Sequence, residues 1–199
     1  MPKKNITGII LAGGKNSRMG QNKAFLKLDG QRLVDKVLGV FQELFPEIII
    51  VTNEPLSYTE FSEAIIVTDI YKKKGALGGI HAGLFYASNK HAFVTACDMP
   101  FLNKDFILYL SQLKDKHDIV VPVASDGYQP LHALYSKNCL SQIKNNLAAD
   151  KLKITGFYKG LRVLTVTEEE IKPFNRDGRL FLNINTPKEM ELIKKMQDI

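Results

Sequence analysis

Residues 7–23 carry the densest run of chemistry-bearing types in the chain: Thr7-Gly8-Ile9-Ile10-Leu11-Ala12-Gly13-Gly14-Lys15-Asn16-Ser17-Arg18-Met19-Gly20-Gln21-Asn22-Lys23. An apolar run over residues 6–11 reads as a short buried strand and breaks at Gly13-Gly14. Adjacent glycines let the backbone take positive φ and approach a ligand closely, because no Cβ intervenes. Backbone N–H groups curled in such a turn form a concave anion site, and Arg18 and Lys23 add fixed positive charge. The combination suits a polyphosphate, most simply a nucleoside triphosphate. The structural alternative is a glycine-rich turn with two solvated basic side chains. Two familiar phosphate motifs do not fit. A Gly-x4-Gly-Lys-[Ser/Thr] loop fails because Gly14-Lys15 is followed by Asn16 and Ile9 holds the upstream position. The Gly-x-Gly-x-x-Gly fingerprint fails because Lys15 stands two residues after Gly13 and Asn16 two after Gly14.

The elements that must hold these groups alternate between strand and helix. Apolar residues Leu33, Val34, Val37, Leu38, Phe41, Leu44 and Phe45 recur at helical spacing, and Pro46 ends that helix. Residues 48–52, 64–67, 93–97 and 118–123 read as buried strands. A loop over 72–79 leads into a short helix reaching about Asn89. Asn103 reads as the cap of a helix to Leu113. Residues 127–135 alternate like an antiparallel excursion, 137–147 are helical, 151–158 are less regular, and 161–166 form a late strand. Thr186 and Pro187 open a last helix as cap and first residue. This order predicts an α/β fold, a Rossmann-like open, mostly parallel sheet with helices on both faces, in one domain over residues 1–199.

In such sheets ligands bind beyond the carboxyl ends of the strands. Gly13, Gly14, Asn53, Asp69 and Asp98 all fall there. Asp98 follows an apolar strand and precedes Met99-Pro100, where the chain must turn. A carboxylate beside a phosphate loop suits Mg²⁺, which takes oxygen ligands and bridges phosphates; a turn-capping Asp is the alternative. Asn53 and Asp69 cap loops or offer oxygens that could accept hydrogen bonds from a ligand.

Bulk properties exclude other classes. At 199 residues, 45% hydrophobic and 24% charged, the chain has an ordinary globular composition. Its apolar runs are far short of a membrane span, and the short basic start leaves no room for a secretory leader, so a cytoplasmic protein is expected. Cys97 and Cys139 lack metal-ligand spacing, and His81, His91, His117 and His132 form no paired motif. The net charge of +6 includes one dense cluster, Lys72-Lys73-Lys74, without interleaved aromatics, so no nucleic-acid partner is expected.

The string Leu11-Ala12-Gly13-Gly14-x-x-Ser17-Arg18-Met19-Gly20-x-x-Lys23 resembles the opening signature of the molybdenum cofactor guanylyltransferases. Further resemblances follow in matching order. Asp98-Met99-Pro100 is similar to the family's metal-binding segment. Gly75-Ala76-Leu77-Gly78-Gly79-Ile80 resembles its Gly-Pro-Leu-Ala-Gly-Ile loop, with Ala76 replacing Pro and Gly78 replacing Ala. Residues 129–135 resemble the stretch lining the acceptor pocket, and Asn183-x-Asn185-Thr186-Pro187 the late Asn-x-Asn-Thr-Pro motif. The resemblance implies a nucleotidyltransferase-type fold and a monomer. It implies an Mg²⁺-dependent transfer of GMP from GTP to the phosphate of molybdenum cofactor, with molybdoenzyme apoproteins or their chaperones as further partners. The implied nucleotide site comprises Leu11, Ala12, Gly13, Gly14, Lys23, Asn53, Asp69 and Asp98. Lys23, Arg18 and Asp98 are the implied catalytic groups, and Gly78, Gly79, His132, Asn183 and Asn185 the acceptor side. His132 reads either as a general base or as a hydrogen-bonded pocket residue. Gly13 matches the guanylyl form, whereas cytidylyl relatives carry Leu-Ala-Ala-Gly. Sugar-phosphate nucleotidyltransferases continue Gly-Thr-Arg-Leu where this chain has Asn16-Ser17-Arg18-Met19. A non-catalytic nucleotide-binding module is the reading from another class.

Overall fold

The computed structural model describes residues 5–13, 22–184 and 189. Strand β1 is Thr7–Leu11. After a hairpin of β2, Lys27–Leu28, and β3, Gln31–Arg32, comes helix α1, Leu33–Leu44. The chain continues through β4, Glu47–Val51, β5, Ile65–Val67, α2, Gly75–Tyr86, β6, His91–Ala96, and α3, Lys104–Gln112. Then follow β7, Ile119–Ala124, β8, Gly127–Tyr128, β9, His132–Ser136, α4, Leu140–Ala148, β10, Val163–Val166, and α5, Glu168–Ile171.

Seven strands lie side by side in the order β10-β7-β9-β6-β1-β4-β5, with β8 paired to β7. All pairs are parallel except those made by β8 and β9. The expected open, mostly parallel sheet is therefore present, and residues 127–135 supply its antiparallel part. Alternation along β1 divides the core: Ile6, Ile10 and Ala12 pack with α1 and α3 residues, whereas Ile9 and Leu11 pack with α2 and α4 residues. Helices thus cover both faces. Among the described residues, no helix is long and apolar enough to cross a membrane.

Helix α2 departs from expectation at its start. It begins at Gly75, so Gly78 and Gly79 are helical rather than part of a loop. Its glycines allow a close crossing of β1. A Cβ on Gly83 would lie 2.6 Å from the Ile9 side chain, and one on Gly79 3.1 Å from Leu11. The helix lies almost directly on β1, and its first turn reaches the strand ends.

The predicted cap at Asn103 is present, its side chain accepting from the Phe106 N–H at 3.0 Å. Residues 151–158 contribute only a 3-10 turn over Ile154–Phe157. The helix start at Thr186 and Pro187 lies outside the described residues.

Candidate active site

Parallel pairing brings four chain segments to one rim at one level. Leu11 is paired with both Val51 and Ala96, and Val51 with Val67. The ladder continues one residue further: Ala12 N–H donates to Val51 O at 2.8 Å, Thr52 to Val67 O at 2.9 Å, and Cys97 to Leu11 O at 3.0 Å. Gly13, Asn53, Asp69 and Asp98 therefore emerge together. Beside them is a cavity of about 210 Å³ whose wall includes Gly13, Lys23, Gly79, Asp98, Leu131 and Asn183.

Asp98 is partly buried at the end of the β6 segment. Burial raises its proton affinity above the ordinary carboxylate value, and the charge of Lys23 opposes that rise. Lys23 opens a 3-10 turn, Lys23–Phe25, capped by Asn22, whose side chain accepts from Ala24 N–H at 3.1 Å. The backbone N–H of Ile184 donates to Asp98 O at 2.8 Å. Ile184 is itself fully buried against Leu28 and Leu33, so the late segment is pinned to the strand end and Asn183 is delivered to the cavity.

Asn53 and Asp69 form one unit, with Asn53 Nδ2 donating to Asp69 Oδ2 at 3.0 Å. Burial raises the proton affinity of Asp69, and the Asn53 bond partly offsets it. The pair leaves the Asn53 carbonyl and the second Asp69 oxygen as acceptors. Gly13 stands next to it: a Cβ there would lie 3.5 Å from Asn53 Nδ2, an ordinary contact. Gly13 does not adopt the positive φ expected of it, since the positive-φ glycines among the described residues are elsewhere. Neither the backbone conformation of Gly13 nor the space beside Asn53 therefore requires a glycine at this position.

Three of the expected site residues, Gly14, Arg18 and Asn185, lie outside the described residues. Two others are placed away from the cavity. A Cβ on Gly78 would face Tyr71 O at 3.0 Å, because its helical phase turns it from the cleft that Gly79 lines. His132 is fully buried, and neither ring nitrogen has a hydrogen-bond partner. Its ring lies among Phe93, Phe106 and Phe181. Burial depresses its pKa to about 3. It is neither a base at the cavity nor a hydrogen-bonded pocket residue. Successive residues entering a strand face opposite sides, so the segment reaches the cavity through Leu131 instead.

Asn22, Gly75 and Ala76 also line the cavity; the sequence places Gly75 and Ala76 in the loop that resembles the family's but does not single out Asn22. Asn22 carried a signal in its place one residue before Lys23. Gly75 and Ala76 sit where α2 begins, and a helix start aimed at a cleft favours anions.

Residues 8–164 match the model of the MobA-like NTP transferase domain. The chain is 40% identical over 188 residues to a molybdenum cofactor guanylyltransferase of Desulfosudis oleivorans, covering 94% of this chain and 93% of that protein. It is 37% identical to a probable molybdenum cofactor guanylyltransferase of Natranaerobius thermophilus, with 96% of each covered. Its fold is similar to that of a molybdopterin-guanine dinucleotide biosynthesis protein A from Archaeoglobus fulgidus, with a TM-score of 0.82, 25% identity, and 97% and 99% of the two chains covered.

Proposed function

Since this chain belongs to the MobA-like NTP transferase family, we propose that it transfers GMP from GTP to the terminal phosphate of molybdenum cofactor, releasing pyrophosphate. The observation that carries the reading is the gathering of Gly13, Lys23, Asp98 and Asn183 on one cavity, with the Asn53–Asp69 pair beside Gly13.

In this reading the Asn53–Asp69 oxygens accept from the guanine edge, which presents N–H donors. Lys23 and the start of α2 meet the phosphates, and Asn183 orients the acceptor from the opposite side. An acceptor phosphate oxygen attacks the α-phosphorus. The bond from that phosphorus to the bridging oxygen breaks, and pyrophosphate leaves with its electron pair. An ionised phosphate is a competent nucleophile, so no side chain need attack, and the remote position of His132 is compatible with this. The work of the protein is positioning and charge stabilisation.

Asp98 is the residue that would hold Mg²⁺. The described residues contain no cluster of three or more His, Cys, Asp or Glu that could cage a metal. One carboxylate fits a cation that completes its shell with water and substrate phosphates. When bound, Mg²⁺ would supply charge neutralisation to the phosphates.

The test is incubation of the protein with Mg²⁺ and molybdenum cofactor, with GTP or CTP in parallel, and detection of dinucleotide by mass spectrometry. A guanine dinucleotide formed only with GTP is the expected outcome. Product with CTP would overturn the reading of Gly13 and of the Asn53–Asp69 pair. Absence of product with either would overturn the acceptor assignment.

A further inference from the structure

Ala12 follows the end of β1, Asn22 caps the turn that begins with Lys23, and one buried hydroxyl touches both residues. The Tyr58 hydroxyl donates to Ala12 O at 3.3 Å and accepts from Asn22 Nδ2 at 3.1 Å. Asn22 is used completely. Its second amide proton goes to Glu54 Oε2 at 3.2 Å, and its oxygen caps the turn that begins with Lys23. Tyr58 is fully buried, its ring packed against Phe25 at 5.1 Å and Phe61 at 5.8 Å between centroids. A buried hydroxyl without partners is costly, and a phenylalanine would supply the same ring. The hydroxyl therefore needs partners; Thr52 is also within its reach, and its bonds to Ala12 and Asn22 tie the residue after β1 to the residue before Lys23.

We propose that Tyr58 is a positioning residue for the nucleotide donor, its hydroxyl and Asn22 forming a latch that holds Lys23 and the end of β1 in fixed relation. The latch rests on the reading of this cavity as a triphosphate site. Fixing Lys23 relative to the end of β1 lowers the ordering cost charged against binding. The latch acts through Lys23 and Gly13, on the donor side. Among the described residues it makes no bond to Asn183, so its loss affects the two substrates unequally.

The experiment compares wild type, Tyr58→Phe, Asn22→Ala and the double variant. KM is measured for GTP and for the acceptor, and calorimetry follows binding of Mg²⁺–tripolyphosphate, which carries no base and needs no acceptor. Loss of a hydrogen bond of ordinary strength predicts that each single variant weakens GTP and tripolyphosphate roughly three- to tenfold. The acceptor KM stays at the wild-type value. The double variant is no worse than the singles, because both remove one coupled unit. Strictly additive losses, equal rises in both KM values, or unchanged tripolyphosphate affinity would each overturn the latch. If Tyr58→Phe does not fold, Asn22→Ala alone still decides through the split between donor and acceptor KM. A wild type that binds tripolyphosphate but makes no dinucleotide would count against the proposed function, while the binding series would still judge the latch.

Discussion

The two rims of the sheet treat carboxylates in opposite ways. At the amino-terminal rim, Asp118 precedes β7 and is bonded by Arg162 Nε and Nη2 at 3.0 and 2.9 Å, by Arg162 N–H at 3.1 Å and by Asn138 at 2.8 Å. These bonds, the Arg162 side chain foremost, hold its pKa far below the usual carboxylate range. On the same rim burial raises the pKa of Glu47, but bonds from Ser88 and Thr7 outweigh it and the net shift is downward. At the carboxyl-terminal rim, Asp69 and Asp98 are both shifted upward by burial. One rim satisfies its charges and so stabilises the fold. The other carries charge at a cost, which a cationic or hydrogen-bonding ligand would relieve. That contrast supports the proposed ligand role of Asp98 over a turn cap.

The contrast can be broken at either rim. The largest effect expected is from Asp98→Asn, which should lower turnover roughly 10²–10³-fold, by analogy with removal of a preorganised charge-stabilising group. A carboxylate whose folded pKa is raised loses stabilising influence as pH rises past its unfolded value. The neutral variant should therefore keep or exceed the wild-type Tm at pH 7. A lower Tm with retained turnover would assign Asp98 to structure. Next, Asp69→Ala should raise the KM for GTP about ten- to a hundredfold, the worth of a hydrogen bond to a charged group. An unchanged GTP KM would remove Asp69 from base recognition.

At the opposite rim Asp118→Ala should cost about 2 kcal/mol of stability through lost charged hydrogen bonds, with kcat/KM for the folded enzyme unchanged. The wild-type contribution is complete above the unfolded Asp pKa near 4 and fades as pH falls toward the lower folded value. Chemical denaturation at neutral and acid pH would measure both. The smallest effect concerns His132. Its folded pKa of about 3 lies below the ordinary 6.5, so the unfolded chain binds the extra proton between those values and stability falls on acidification. His132→Phe should remove about 1 kcal/mol of the stability lost between pH 7 and about pH 5.5. An identical acid limb in the variant would show that His132 is not the titrating group.

Much of this architecture was readable in advance. The β-branched run at 48–51, the helical spacing from Leu33 to Phe45 and the cap at Asn103 reflect local periodicity, which needs no distant partner. The Gly13-Gly14 break and the Asp98-Met99-Pro100 turn were likewise visible, because apolar runs end abruptly there. His132 was misplaced because a strand has two faces and the pattern 129–135 does not say which one meets the cavity. Gly78 and Gly79 read as loop because glycine is a poor helix former, whereas the close seat of α2 favours small residues, with Leu11 facing Gly79 and Tyr71 O facing Gly78.

The chain's order of residues sufficed for the strand ends, the helix periods and the residue types able to hold phosphate, since each depends on neighbours within a few positions. It could not specify the pairing of Asn53 with Asp69, the seat of Asn183 beside Asp98, or the Tyr58 hydroxyl between Ala12 and Asn22. Those contacts join residues far apart in the chain, and sheet register and core packing alone fix their distances.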